Sequence, residues 1–310
     1  MDGLLVVDKP VGPTSHDVVA VARRVLGERR IGHTGTLDPA ASGVLPLVLG
    51  KATRLARFVS AADKTYRASI TIGLSTDSYD AEGRPVGEPY KGPLPAASVI
   101  VPVIETFRGT FPQQPPVFSA RKVAGRRSHR IARAARRAGG VAAEDTAPAL
   151  EPTMVTVHRI ELLRVEDASI ELELTCSSGF YVRSLAHDLG QRLRTGAHLT
   201  SLRRTRSGAL GLERCVSLEE LSDGRRTNDV LFPLDEMLPE MPALALNEAG
   251  TEHARHGRSL GAGDLQDAGA LSAFAVGGED RCRLIGARGH LIGVAAIKAP
   301  GALHPFVVLM

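Results

Sequence analysis

Residues 64–73, KTYRASITIG, alternate in polarity. Tyr66, Ala68, Ile70 and Ile72 point one way while Arg67, Ser69 and Thr71 point the other, the period of two expected of a half-buried strand with Tyr66 at its mouth. VTVHRIELLRV and ASIELELTCSSG read as two further strands, paired with each other, and GLLVVDKP as a short buried strand stopped by Pro10. Helices fall between them irregularly. GPTSHDVVAVARRVLG predicts one, with Thr14 or Ser15 as cap, Asp17 in the first turn, Gly27 at the end, and Val18, Val19, Ala22, Val25 and Leu26 on one face. AASVIVPVIETFRG predicts another, weakened by Pro102, and FYVRSLAHDLGQRLRTG a third after a strand; DSYDAEG reads as a turn. Strands and helices do not alternate regularly, so the expected fold is α+β, built on a mixed, mainly antiparallel sheet.

Near LSDGRRTNDVLFPLDEMLPEMPAL the composition shifts to Pro, Asp and Glu, which reads as a linker ending near Glu240. The runs RCRLIGARG, HLIGVAAIK and PFVVLM beyond it suggest a small β-rich module, giving domains of 1–240 and 241–310. A length of 310 residues accommodates one large domain plus a small one, or two mid-sized ones, and 43% hydrophobic residues allow a sizeable core. With 4% aromatics and no Trp, that core must be mostly aliphatic. Cys176, Cys215 and Cys282 lie far apart without metal-ligand spacing, and His33, His129, His187 and His198 have none either. No metal, no cofactor and no disulfide framework are expected, and the cysteine usage fits a reducing cytoplasm. No apolar run reaches membrane length, and MDGLLVVDKP lacks the basic segment of a signal peptide.

The net charge is only +4, but just six of the 38 Lys and Arg are Lys. A GC-rich genome and phosphate recognition by the Arg fork account equally well for that bias. Distribution favours the second. Arg121, Lys122, Arg126, Arg127, Arg130, Arg133, Arg136 and Arg137 follow one another with no acid between them, and an anionic partner such as nucleic acid relieves their repulsion. A second basic cluster comprises Arg203, Arg204 and Arg206.

The loop GHTGTLDP, residues 32–39, mixes His, Thr, Gly and Asp ahead of Pro39. Gly32 and Gly35 permit sharp turns, and Asp38 before a proline is biased to an extended conformation. Such a loop either presents Asp38 rigidly, as a nucleophilic carboxylate needs, or is a capped turn. GVLPLVLGKAT is not a phosphate loop: Gly43 and Gly50 are too far apart and Ala52 stands where Ser or Thr is required. Arg183, in SGFYVRSLAHDLG, matters to Asp38 only if the fold brings them together, in which case it keeps the carboxylate ionised.

LLVVDKPVGPTSHDVV, RRIGHTGTLDPAASGVLPLVLGKAT, DKTYRASITIGLSTDSYDAEG, PPVFSARKVAGRR, CSSGFYVRSLAHDLGQRLRTGAHLTSLRRTRSG and HARHGRSL, in this order, resemble the tRNA pseudouridine synthases of the TruB type. The resemblance covers most of residues 3–260. It implies a cytoplasmic isomerase that converts uridine 55 in the tRNA T-loop to pseudouridine by base flipping, without cofactor or metal. By the same resemblance Asp38 is the nucleophile, and Tyr66 stacks on the flipped uracil and helps remove its C5 proton. Arg183 pairs with Asp38, Tyr181 and Leu202 line the base pocket, and His33 sits where the base leaves the T-loop. Residues 112–150, with Arg121, Lys122, Arg126 and Arg127, match an insertion that grips the T-stem loop. His129 replaces an aromatic common there, and AGGVAAEDTAPALEP is longer than usual. Residues 241–310 resemble an RNA-binding PUA domain. A monomer is expected. The competing class is an RNA chaperone that grips the tRNA elbow without essential catalysis; it has no need of Asp38, Tyr66 and Arg183.

Overall fold

In the computed structural model, residues 1–119, 150–224 and 231–309 are described, together with the backbone of Lys122–Val123 and Arg126–Arg127. The chain falls into two compact units, one of Met1–Asp38, Leu45–Ser60 and Glu213–Met310, the other of Pro39–Val44 and Ala61–Leu212.

In the first unit, strand β1 (Gly3–Lys9) leads into helix α1 (Ser15–Leu26). Thr14 is the cap: its hydroxyl accepts from the Asp17 amide at 3.1 Å while the Asp17 carboxylate accepts from the Thr14 amide at 2.8 Å. This reciprocal capping box contributes about 1 kcal/mol. Gly27 closes the helix in the left-handed conformation, φ 64°. Val18, Val19 and Ala22 are buried as the spacing predicts, whereas Val25 and Leu26 are half-exposed. β2 (Ile31–His33) pairs antiparallel with the second half of β3 (Ala41–Leu49), His33 opposite Leu47. β1 pairs in parallel with Val216–Ser217 and antiparallel with Leu231–Phe232. The stretch expected to be a linker is therefore partly stitched to β1: Leu4 lies opposite Phe232, and Met237 is buried. Residues 243–308 build a four-stranded sheet in which Ala243–Ala245 runs parallel to Arg281–Ile285, and Leu291–Ala299 and Ala302–Val308 follow antiparallel. Leu246, Leu260, Leu284, Ala295 and Leu303 form an aliphatic cluster under it.

The second unit is organised on β4 (Lys64–Ile72). Tyr66, Ala68, Ile70 and Ile72 are buried, and β4 lies antiparallel between Ser169–Cys176 and Ala197–Ser207. Thr153–Glu166 pairs antiparallel with Ser169–Cys176, and Gly109–Gln113 adds the last strand. The start of β3 joins Ala197–Ser207 in parallel. The sheet is thus mixed and mainly antiparallel, as expected. The helix Ala97–Glu105 forms despite Pro102, because Ile100 and Ile104 are buried and their burial offsets the lost backbone bond.

Arg204 behaves differently from the basic cluster in which the sequence places it. It is 1% exposed, and its Nε donates to the Val44 carbonyl at 2.7 Å. Gly43, φ 105°, lies so close that an added Cβ would stand 2.1 Å from the Arg204 carbonyl oxygen. Arg204 is a buried strut between strands; Arg203 is half-buried and Arg206 exposed.

Candidate active site

The loop 32–39 is held from inside. Gly32 lies in β2 opposite Val48, so only Gly35, φ 120°, makes a turn that demands glycine. Thr34 is fully buried and its amide donates to the Pro46 carbonyl at 3.0 Å. Ser15, the first residue of α1, clamps Leu37 twice. Its hydroxyl donates to the Leu37 carbonyl at 3.0 Å and accepts from the Leu37 amide at 2.9 Å. The residue after that clamp is Asp38, half-buried. The clamp fixes the backbone from which Asp38 projects. The His33 ring stands edge-on to His16, centroids 5.2 Å apart.

In the second unit, Tyr66 is 8% exposed and lies directly opposite Leu174 on one neighbouring strand and Arg204 on the other. Leu202 pairs with Ala68, two residues along β4, so Leu202 and Tyr66 share one face of the sheet. The helix Val182–Leu193 packs on the strand Ala197–Ser207 and carries Arg183 in its first turn, with Tyr181 as cap. Gln113 is buried and fixes Tyr181 as Ser15 fixes Leu37: its amide donates to the Tyr181 carbonyl at 3.0 Å and its carbonyl accepts from the Tyr181 amide at 2.8 Å. The Ser184 hydroxyl adds a bond to the Gln114 carbonyl at 2.7 Å.

Arg183 is 6% exposed. Its guanidinium donates to the carbonyls of Ser78 at 3.2 Å and Phe118 at 2.9 Å, and stands 3.6 Å from the carboxylate of Asp80. Asp80, in the turn DSYDAEG, is the partner that sequence reasoning missed; an Asp in a turn-rich stretch reads as turn chemistry. The structure thus groups Tyr66 with Leu202 and Tyr181 with Arg183 in one unit, and places His33 and Asp38 in the other. Arg121 lies outside the described residues, as does most of the insertion 112–150 beyond residue 119. Lys122, Arg126 and Arg127 belong to the two strands of a short antiparallel pair, Lys122 opposite Arg127.

Lys64 opens β4 nearly buried, 5% exposed, with its ammonium donating to the Ala62 carbonyl. Burial, then the charge of Arg204, lowers its pKa to about 8 from an ordinary 10.5. Between those values the native state releases a proton that the unfolded chain keeps, so native stability rises with pH across that window. The native protein gains stability relative to a Lys64→Met variant from about pH 8 to about 10.5, measured by urea unfolding. A constant difference across the window contradicts the assignment. Cys176 and Cys282 are buried, and burial pushes each thiol up to about 12. Among the described residues no three His, Cys, Asp or Glu side chains converge as metal ligands, and no helix is long and apolar enough to cross a membrane.

The profile of the TruB family pseudouridylate synthase N-terminal domain matches residues 23–182, and that of the tRNA pseudouridylate synthase B C-terminal domain matches residues 183–239. The chain belongs to the TruB family of pseudouridylate synthases. It is an isomerase of that class. It is 39% identical to the tRNA pseudouridine synthase B of Solibacter usitatus (strain Ellin6076), over 100% of both chains. It is 43% identical to that of Heliobacterium modesticaldum (strain ATCC 51547 / Ice1), over 80% of this chain and 78% of the relative. Among solved structures, a Cbf5-Nop10-Gar1 complex superposes with TM-score 0.72 at 25% identity, over 99% of this chain and 85% of the other. An H/ACA RNP bound to a substrate RNA containing 2'-deoxyuridine superposes with TM-score 0.70 at 23% identity, over 99% and 85%, and shares the fold.

Proposed function

We propose that this TruB-family isomerase converts uridine 55 in the T-loop of tRNA to pseudouridine, with the base extruded from the RNA and Asp38 as nucleophile toward the ribose. The observation that carries the reading is the double clamp of Ser15 on Leu37, which fixes the backbone that presents Asp38. Relatives named tRNA pseudouridine synthase B, one of them matched over the whole chain and another over 80% of it, support the substrate.

A uridine inside a folded loop is unreachable until it leaves the stack, at a cost of a few kcal/mol. Tyr66 receives the uracil face and Tyr181 and Leu202 close the pocket, so stacking and water exclusion offset that cost. Asp38 acts on the ribose as the C1′–N1 bond breaks, and Arg183 supplies the positive charge that the reaction uses. The uracil turns within the pocket, and C5 bonds to C1′ as the Asp38 carboxylate is released. The C5 proton then leaves, helped by Tyr66, while N1 gains one, so the reaction is a balanced isomerisation that needs no redox partner. His33 lies where the base leaves the T-loop, and Arg121, Lys122, Arg126 and Arg127 grip the T-stem through its phosphates. The separate four-stranded sheet of residues 243–308 serves as a PUA-like RNA-binding module, although it belongs to the same compact unit as residues 1–38 and 45–60. The enzyme works in the cytoplasm as a monomer.

The test is tritium release from an unmodified tRNA transcript labelled at uridine C5. The native protein releases label from one uridine per tRNA, and sequencing places the product at position 55. Binding of the transcript without release defeats this reading and leaves the chaperone class.

A further inference from the structure

Arg183 and His187 are four residues apart on the helix Val182–Leu193 and therefore share a face. Both grip the same turn, residues 77–83. Arg183 holds the Ser78 carbonyl at 3.2 Å and the Asp80 carboxylate at 3.6 Å. The residue between these two, Tyr79, lays its ring on the imidazole of His187, centroids 4.0 Å apart and planes 18° from parallel. Tyr79 has φ 65°, the left-handed region that a bulky side chain occupies only where its surroundings impose it.

Contacts on either side of the residue hold it there. The Leu199 amide donates to the Tyr79 carbonyl at 2.9 Å, the Ala81 amide donates to the Leu199 carbonyl at 2.9 Å, and the stack holds the ring. The consequence lies in the backbone. Rotating residue 79 into an ordinary conformation swings the chain after it relative to the chain before it. The Ser78 carbonyl and the Asp80 carboxylate then cannot both face one guanidinium. The strained residue is thus the joint on which the Arg183 contacts to Ser78 and Asp80 depend.

We infer that the Tyr79–His187 stack is a positioning device: it locks the turn that presents Asp80 to Arg183, and through Arg183 it governs turnover without touching the RNA. The inference rests on the reading that Arg183 serves the isomerisation. The stack and the ion pair sit one helical turn apart, so the helix Val182–Leu193 and the turn are registered at two points. The bonds of the Tyr79 carbonyl and the Ala81 amide to Leu199 tie the turn to the strand, and the stack adds a second point of registration on the helix.

The experiment compares the native protein with His187→Ala, His187→Phe, Tyr79→Gly, Asp80→Asn and the His187→Ala/Asp80→Asn double variant. Tritium release from C5-labelled tRNA transcript is followed at steady state, and amide hydrogen exchange is followed over residues 77–83 and 199. His187→Ala lowers kcat by about tenfold or more while KM moves less than about threefold, and His187→Phe, which keeps a ring, recovers most of the loss. Tyr79→Gly relieves the backbone strain but removes the ring, so it is slow as well. In the Asp80→Asn background His187→Ala adds nothing, because residues acting through one another are not additive. Exchange at residues 81 and 199 rises about tenfold or more in His187→Ala and returns with Phe, the rest of the chain unchanged.

A full multiplicative loss in the Asp80→Asn background, full activity of Tyr79→Gly, or unaltered exchange in the turn each overturns the inference. If the native protein releases no tritium, the functional reading falls, and the exchange measurement still decides whether the stack locks the turn.

Discussion

Asp38→Asn abolishes tritium release, lowering turnover by about 10⁴-fold or more, while the protein folds normally and binds the tRNA transcript with nearly unchanged affinity. The substitution is chosen for what it leaves alone. Asn has the size and shape of Asp, and the backbone that carries it is set one residue earlier, where Ser15 holds both the amide and the carbonyl of Leu37. Thr34, buried and bonded to Pro46, and Gly35 with its φ of 120° shape the rest of the loop. What is lost is the anionic oxygen. A neutral amide is a far weaker nucleophile and provides no charge for an arginine to stabilise. Two measurements are needed together: single-turnover release and filter binding of the same transcript. Loss of both in parallel shows that Asp38 organises RNA binding rather than chemistry. Retained release removes it from the mechanism altogether.

Local features of this chain were legible in the sequence because their physics is local. The alternation of 64–73 reports which side chains of one strand face the core, and β4 buries those residues. The capping box needs only residues 14 and 17, three apart, and α1 begins where they place it. What was not legible depends on encounters across the chain. Ser15 reads as a possible cap, yet its hydroxyl serves a backbone 22 residues away. Gln113 looks like any polar residue in FPQQPP, yet it secures Tyr181, 68 residues on. Arg204 reads as one of a basic trio, but its strand partners bury it and the Val44 carbonyl satisfies it. Gly32 reads as a turn-former and lies in a strand. Asp38, Tyr66 and Arg183 stand out by residue type and by resemblance; the residues that hold their surroundings, Ser15, Gln113, Asp80 and Tyr79, carry no pattern that periodicity or spacing exposes.

Arg183→Met destabilises the protein by about 3–5 kcal/mol and removes activity as well, with Arg183→Lys rescuing little of either. The argument is one of unpaired groups. Arg183 is 6% exposed, and its guanidinium serves two carbonyls, at 3.2 and 2.9 Å, and the Asp80 carboxylate at 3.6 Å. Asp80 is itself largely screened from water, its side chain 14% exposed. Methionine fills much of the space but returns none of the bonds, so a poorly hydrated carboxylate loses its counter-charge and two carbonyls lose a donor. Lysine restores charge at one point; it cannot span a carboxylate and two carbonyls with a fixed fork. Removing the acid too separates the two effects. In an Asp80→Asn/Arg183→Met double variant the uncompensated carboxylate is gone, so urea unfolding recovers part of the stability lost in Arg183→Met, while tritium release stays at the level of that single variant. Stability that is not regained shows that the ion pair is not what the guanidinium supports. Activity that returns with stability shows that Arg183 only holds the fold.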